Sequence, residues 1–385
     1  GTQLAADLGA EVIKIEETGT GDAMRSYPPF FTGTKSRDRL SALYVCINEG
    51  KKSVALNLHK PEDREKFLEL CKTADAVVES FRPGVMQRLG IDYDVVTEVK
   101  PDIIYISLTG YGQFGPYRDL PGHDMNYQSL MGNLSLNGKQ GAPPIVPNIQ
   151  AADLGGGLFV LVSLLGALYH RNLTGEGAFI DVAMSDVAFN LARMFITSSI
   201  ASGQAVSRER DYLLGEYPWY DVYECLDDGE SNEQEHYFAV GLIEDKFWST
   251  FCNAPGINLA EHAKNQMEKG PAKDELYAKM RALFKTKTAA EWFALFKEWD
   301  IPGTPVQSIL EAINDPQVKA RDLLRNGTQA SVTGIPAFPF PVKCAHSQRS
   351  LLEYEGPDPA ELSRPAAVYF SKLGELNKVL FPKEE

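Results

Sequence analysis

Apolar residues recur along the chain in two rhythms, short strand-like runs and longer stretches with helical spacing, and their succession predicts the fold. Glu11-Val12-Ile13-Lys14-Ile15-Glu16 alternates as a strand does, and Gln3 to Leu8 before it suits a short helix. Ser53 to Leu58 reads as a second strand, Pro61 can occupy the first turn of a helix running to Lys72, and Ala76-Val77-Val78 is a short apolar strand. Beyond Pro101, Ile103-Ile104-Tyr105-Ile106-Ser107 is another. Strands separated by helices of this length predict an α/β chain with a mostly parallel sheet covered by helices.

From Asp153 to Arg171 a Gly-rich start leads into a long apolar helix, whose all-round hydrophobicity predicts that it is buried. Gly175 and Gly177 then turn the chain into the strand-like Ala178 to Val182. A second region begins near Gly215 with an acidic hairpin at Asp227-Asp228-Gly229 and returns in Tyr237-Phe238-Ala239-Val240. Pro271 to Trp299 is mostly helical, and Pro302 to Val306 enters another short segment. The boundary falls near residue 200, and no fixed-period repeat is visible.

Composition narrows the classes of function. The 385 residues, 44% of them hydrophobic, suffice for one large core or two moderate ones. Asp and Glu number 52 against 38 Lys and Arg, a net charge of -14 that argues against nucleic acid or an anionic membrane as partner. Cys46, Cys71, Cys225, Cys252 and Cys344 form neither a CxxC pair nor a disulfide framework, which predicts a reducing, cytoplasmic setting. Gly1 to Ala10 lacks the basic and apolar segments of a secretion signal, and the longest apolar run, Leu158 to Leu168, is too short to span a bilayer.

The most informative local sequence is Gly122-His123-Asp124-Met125-Asn126-Tyr127, followed 30 positions after His123 by Asp153 in Ala151-Ala152-Asp153-Leu154-Gly155-Gly156-Gly157. A histidine and a carboxylate can exchange protons near neutral pH. His123 is equally readable as a satisfied loop residue, and Asp153 as the cap of the helix that follows. Capping and catalysis are compatible there, because the glycines permit close approach and a helix start favours negative charge. Arg25, Lys51, Lys52, Arg82 and Arg88 are candidates for holding phosphate groups, with Arg82-Pro83-Gly84 fixing one guanidinium beside a turn. Gly110-Tyr111-Gly112-Gln113-Phe114-Gly115-Pro116 matches neither a dinucleotide fingerprint nor a P-loop, though Tyr111 and Phe114 can pack on a ligand. The cysteines and six histidines form no close zinc ligand set, and no GxSxG nucleophile elbow is present. Acid and base side chains acting on an already activated substrate fit these absences best.

These segments resemble the alpha-methylacyl-CoA racemase branch of the class III CoA-transferase (CaiB/BaiF) family. The likeness runs from Gly1 to the Asp315-Pro316-Gln317-Val318 segment and includes Ala6 to Glu16, Asn48 to Leu58, Glu79-Ser80-Phe81-Arg82-Pro83-Gly84, Ser107 to Pro116, the His123-Asp124 loop and Asp153 before its glycines. It implies a doubly wound CoA-binding domain over residues 1–200, lacking its first strand, a smaller α/β domain over 201–325, and a segment over 326–385 returning toward the large domain. It further implies an interlocked homodimer. Arg25, Lys51, Lys52, Arg82, Arg88, Tyr111 and Gly112 would hold the CoA moiety of the substrate, and no redox or metal cofactor is required. Family members commonly carry Arg where Glu49 stands, which shifts weight to the neighbouring lysines. On this resemblance His123 and Asp153 are opposed acid and base, Glu244 supports the histidine, and the reaction is racemisation of a branched 2-methylacyl-CoA through an enolate. Two alternatives stay open: CoA transfer between carboxylic acids with Asp153 as covalent nucleophile, and a non-catalytic CoA-binding or assembly protein. His123 favours the racemase, because the transferase pattern usually places another residue there.

Overall fold

The computed structural model describes residues 1–31, 40–227, 229, 236–267, 269–326, 336–338 and 341–342. The chain divides into two compact units. The first holds Gly1–Asn133, Pro147–Ala192 and the described residues from Lys319 onward, and the second holds Leu134–Val146 and Arg193–Val318. Asp228 of the expected acidic hairpin, Cys344 and most of the segment 326–385 lie outside the described residues.

In the first unit, β1 (Ile13–Glu16) pairs in parallel with β2 (Lys52–Ala55), which leads into helix α1 (Pro61–Cys71) with its proline in the first turn. A second parallel sheet follows, with β3 (Ala76–Glu79) leading through the short helix α2 (Val85–Leu89) to β4 (Ile104–Thr109). Then come α3 (Asp124–Leu130), α4 (Ala151–Thr174), β5 (Ala178–Ala183), which pairs in parallel with β4, and α5 (Met184–Leu191). Side chains alternate across β4 and its approach, as strand geometry requires. Ile104 and Ile106 pack with Val160, Leu161, Leu164 and Leu168 of α4, whereas Ile103 and Tyr105 pack with Phe67 and Cys71 of α1 and with Val96. Helices thus cover both faces, and each fully buried large apolar side chain contributes about 1.5–3 kcal/mol.

The α4 helix departs from the expectation of burial all round. Its buried residues lie on one face, while Leu154 (57% exposed), Val162 (63%) and Leu173 (69%) stand with Leu158 and Phe159 on the other. Among the described residues it is also the one helix long and apolar enough to cross a bilayer, with a mean hydropathy of 1.9. The apolar run estimated from Leu158 to Leu168 alone therefore understated its reach. Within the fold, two of its glycines are required by packing against the following helix. A β-carbon on Gly155 would stand 2.8 Å from Val187 of α5, and one on Gly156 would stand 2.9 Å from Met184.

The second unit is built on the antiparallel sheet of β6 (Tyr220–Glu224), β7 (Tyr237–Gly241) and the later β8, with α6 (Asp245–Asn253), α7 (Pro271–Phe284) and α8 (Ala289–Glu298) preceding β8 (Gly303–Pro305). Its aromatic core includes the fully buried Trp219, Trp248, Trp292, Phe238, Phe284 and Phe296. Gly303 is required by this packing, because a β-carbon there would come within 2.4 Å of the Phe296 ring.

Candidate active site

His123 and Asp153 lie on the two segments that the α3 and α4 helix starts bring together. His123 is the N-cap of α3, and its main-chain N–H donates to Asn126 Oδ1 at 3.0 Å, which fixes the turn. Asp153 is the third residue of α4 and does not cap it, nor does the side chain of Gln150 at the N-cap. The cap comes from Asp124 instead. Its Oδ1 accepts the main-chain N–H groups of Ala152 at 2.7 Å and Asp153 at 3.1 Å, and its Oδ2 accepts Gln128 Nε2 at 2.5 Å. Asp124 is buried, and the orphan donors at the start of α4 are satisfied by a carboxylate 28 or more residues away.

The Asp153 carboxylate accepts no hydrogen bond among the described residues and stands at the start of the helix, partly open to solvent. Partial burial pushes its pKa above the ordinary carboxylate value and the Asp124 charge adds to this, while His123 pulls it back. His123 is linked to Asp153 through its neighbour Asp124, whose Oδ1 accepts the Asp153 N–H at 3.1 Å. Tyr127 completes this neighbourhood. Its hydroxyl donates to the Gly122 carbonyl at 2.6 Å, and its pKa is raised first by burial and then by Asp153, with Arg82 acting in the opposite direction. The ring wedges between two glycines, since a β-carbon on either Gly110 or Gly122 would lie 2.7 Å from it. Tyr111 packs edge-on against Tyr127 with centroids 5.1 Å apart.

The loop carrying Tyr111 and Gly112 is held from below. Gly112, at φ +85°, donates its N–H to Thr109 Oγ1 at 2.9 Å, and the Gln113 N–H donates to Asp181 Oδ2 at 2.8 Å. Gln113 Nε2 donates to Ser107 Oγ at 2.7 Å, and that hydroxyl donates in turn to Glu79. Burial raises the Glu79 pKa against these bonds and the Phe81 N–H.

Glu79 and Gln113 belong to a cavity of about 310 Å³ at the carboxyl ends of β3 and β4, also lined by Arg82, Tyr93, Arg118 and Phe179. Ligands in parallel α/β sheets favour this edge. Gly84 adopts φ +79°, and Nη1 of Arg88 and Nη2 of Arg118 come within 3.3 and 3.6 Å of where its β-carbon would stand. Arg88 and Arg118 therefore converge on one turn beside Arg82. His123 and Asp153 do not line this cavity.

The other basic candidates are placed elsewhere. Arg25 donates Nε and Nη2 to the buried Glu16 carboxylate at 2.7 and 2.8 Å, and its guanidinium lies 4.0 Å from the Tyr44 ring centroid. Burial alone would raise Glu16, but bonds from Arg25, the Asp22 N–H and the Tyr44 hydroxyl outweigh it and hold the carboxyl at about 2. Lys51 Nζ donates to Thr2 Oγ1 at 2.9 Å and Asn48 Oδ1 at 3.2 Å, and burial, with Lys14 nearby, brings its ammonium down to about 8. Lys52 pairs with Glu11 at the surface. The Glu49 carboxyl is raised by burial and then by Asp7. Glu244 belongs to the second unit, where it is the N-cap of α6 and accepts the N–H of Phe247 at 2.9 Å through its main-chain carbonyl. No three metal-ligating side chains converge among the described residues.

Sequence reasoning missed Asp124, Arg118, Glu79 and Asp181. Asp124 had a signal in its adjacency to His123, whereas the others emerge only when strands distant in sequence are paired.

A profile described as CoA-transferase family III matches residues 1–360. The acetyl-CoA:oxalate CoA-transferase of Acetobacter aceti is 32% identical over 343 residues, covering 87% of this chain and 84% of that protein. The alpha-methylacyl-CoA racemase of Homo sapiens is 31% identical over 333 residues, covering 86% and 80%. Other similar proteins are named as CoA-transferases of succinate, glutarate or mesaconate. The crystal structure of a CaiB/BaiF family protein from Brucella suis, 24% identical, shares the fold with a TM-score of 0.77 over 98% of this chain and 94% of that one.

Proposed function

The chain belongs to CoA-transferase family III, and on that premise we propose that it transfers CoA between carboxylic acids with Asp153 as the covalent nucleophile. The observation that carries this reading is the Asp153 carboxylate itself, held at a helix start by its main chain while its oxygens accept no bond from the described residues. In the proposed reaction it attacks the thioester carbonyl of the donor. The C–S bond breaks, giving a mixed anhydride and CoA thiolate. The thiolate attacks the aspartyl carbonyl, forming an aspartyl-CoA thioester and releasing the donor acid as its carboxylate. An acceptor carboxylate then runs both steps in reverse. Relatives named for oxalate, succinate and glutarate support a carboxylic acid acceptor.

Racemisation of a branched 2-methylacyl-CoA is the second reading, favoured by His123 beside Asp153 and by the human racemase among the similar proteins. Most of the relatives reported above are named for transfer, which reverses the preference drawn from His123 alone. Mixing a donor acyl-CoA with a second acid decides between them: a new thioester supports transfer, and its absence alongside inversion of the donor's alpha carbon rejects it.

We assign the CoA phosphates to Arg82, Arg88 and Arg118, on the geometry around Gly84. The exposed apolar side of α4 supports a homodimer. Calorimetry should therefore find saturable CoA binding that Arg118→Ala weakens about tenfold, the loss of one charge-assisted contact, in a protein that sediments as a dimer. Unchanged affinity in the variant sinks the assignment, and a monomer across the concentration range sinks the dimer.

A further inference from the structure

We propose that Asp124 is a positioning residue that sets the Asp153 carboxylate against the His123 loop by holding the main-chain amides at the start of α4. The inference rests on Asp153 being the reacting group, as proposed above. Asp124 is 6% exposed, and one of its oxygens takes both the Ala152 and the Asp153 N–H while the other is fixed by Gln128. The residue immediately before it is His123, whose own main chain is pinned by Asn126. Only one covalent link and one hydrogen bond therefore separate the histidine's main chain from that of the nucleophile. No side chain of the α4 segment itself caps the helix, so the register of Asp153 depends on this one carboxylate.

The arrangement also has an electrostatic consequence. The charged groups acting on the Asp153 carboxyl are Asp124, which raises its pKa, and His123, which lowers it. Tyr127 of α3 faces the same carboxyl. Of the other elements packed against α4, the Thr2–Asp7 helix carries Asp7, β4 carries Tyr105, β5 carries Asp181 and α5 carries Asp186. Removing the Asp124 charge while keeping its oxygen separates geometry from charge.

Asp124→Ala and Asp124→Asn are compared with the unaltered full chain in a CoA transfer assay. Misplacement of a reacting group by about 1 Å costs on the order of 10²-fold, so Ala is expected to lower kcat by about that factor with KM for the acyl-CoA within about twofold. Asn keeps an acceptor for the two amides and should recover most of the loss, while its acid limb moves to lower pH. Thermal unfolding of both variants is followed alongside. If folded Ala keeps kcat within about twofold and only its thermal midpoint falls, Asp124 is only a stabilising cap and the proposal is overturned, as it is if Asn falls as far as Ala with its acid limb in place. If Ala does not fold, the Asn profile alone decides in the same way. Asp153→Ala keeps the two readings apart: should it remain active, the nucleophile assignment fails, whereas an inactive Asp153→Ala beside an unimpaired Asp124→Ala overturns positioning alone.

Discussion

Asp153→Ala is expected to lower CoA transfer by at least about 10³-fold, the order of loss that follows removal of a covalent nucleophile, while CoA binding at the arginine cavity stays within about twofold. The separation follows from the placement of the two sites, since Asp153 does not line the cavity of Arg82 and Arg118. The unaltered chain, given a donor acyl-CoA and no acceptor and then quenched in acid, should carry CoA as a thioester on the peptide containing Asp153. Mass spectrometry of that peptide reads the adduct directly. Transfer surviving in Asp153→Ala, or an adduct on a different peptide, removes Asp153 from the role. The pH dependence supplies a second reading of the same residue. Only the ionised carboxylate attacks, and partial burial followed by the Asp124 charge holds its pKa above the ordinary value. Activity should therefore fall as pH drops through that raised pKa, at a higher pH than the roughly 4 of an exposed Asp.

Much of the first unit was legible because its strands are short apolar runs that the sheet buries on both faces. Ile103 to Ser107 is such a run, and the observed strand covers Ile104–Thr109. Pro61 marked the start of its helix within a residue, because a proline is tolerated in the first turn and not beyond it. What the pattern could not carry is any arrangement made by residues far apart. Asp153 reads as a cap from its own neighbours, yet it is the third residue of the helix, and the amides of the helix start at Ala152 and Asp153 donate to Asp124 from another segment. Arg25 reads as a candidate for holding a phosphate, and no local pattern carries its pairing with Glu16 of β1. Gly155 and Gly156 read as room for a ligand and instead admit Val187 and Met184 of α5. Periodicity likewise did not predict that Leu134–Val146 would join the second unit, because a segment of that length carries no rhythm of its own.

In deuterium oxide, a single enantiomer of a 2-methylacyl-CoA incubated with the enzyme and no acceptor acid is expected to keep both its configuration and its alpha hydrogen. Transfer needs no bond to the alpha carbon, because Asp153 attacks the thioester carbonyl and the thiolate then attacks the aspartyl carbonyl. Racemisation requires that hydrogen to leave, and solvent deuterons then replace it on the opposite face. Adding a carboxylic acid should start turnover in the first case and change nothing in the second. His123→Ala sharpens the contrast. A histidine that only shapes the charge around Asp153 should cost about tenfold in transfer when removed, whereas an acid or base acting on the alpha carbon accounts for about 10²–10⁴-fold. Chiral chromatography coupled to mass spectrometry reads inversion and isotope content in one run. Inversion with deuterium at the alpha carbon, lost in both His123→Ala and Asp153→Asn and indifferent to added acid, would overturn transfer and assign the pair to proton exchange. Retention without label, together with acceptor-dependent formation of a new thioester, leaves Asp153 as the nucleophile and His123 as the group that tempers its charge.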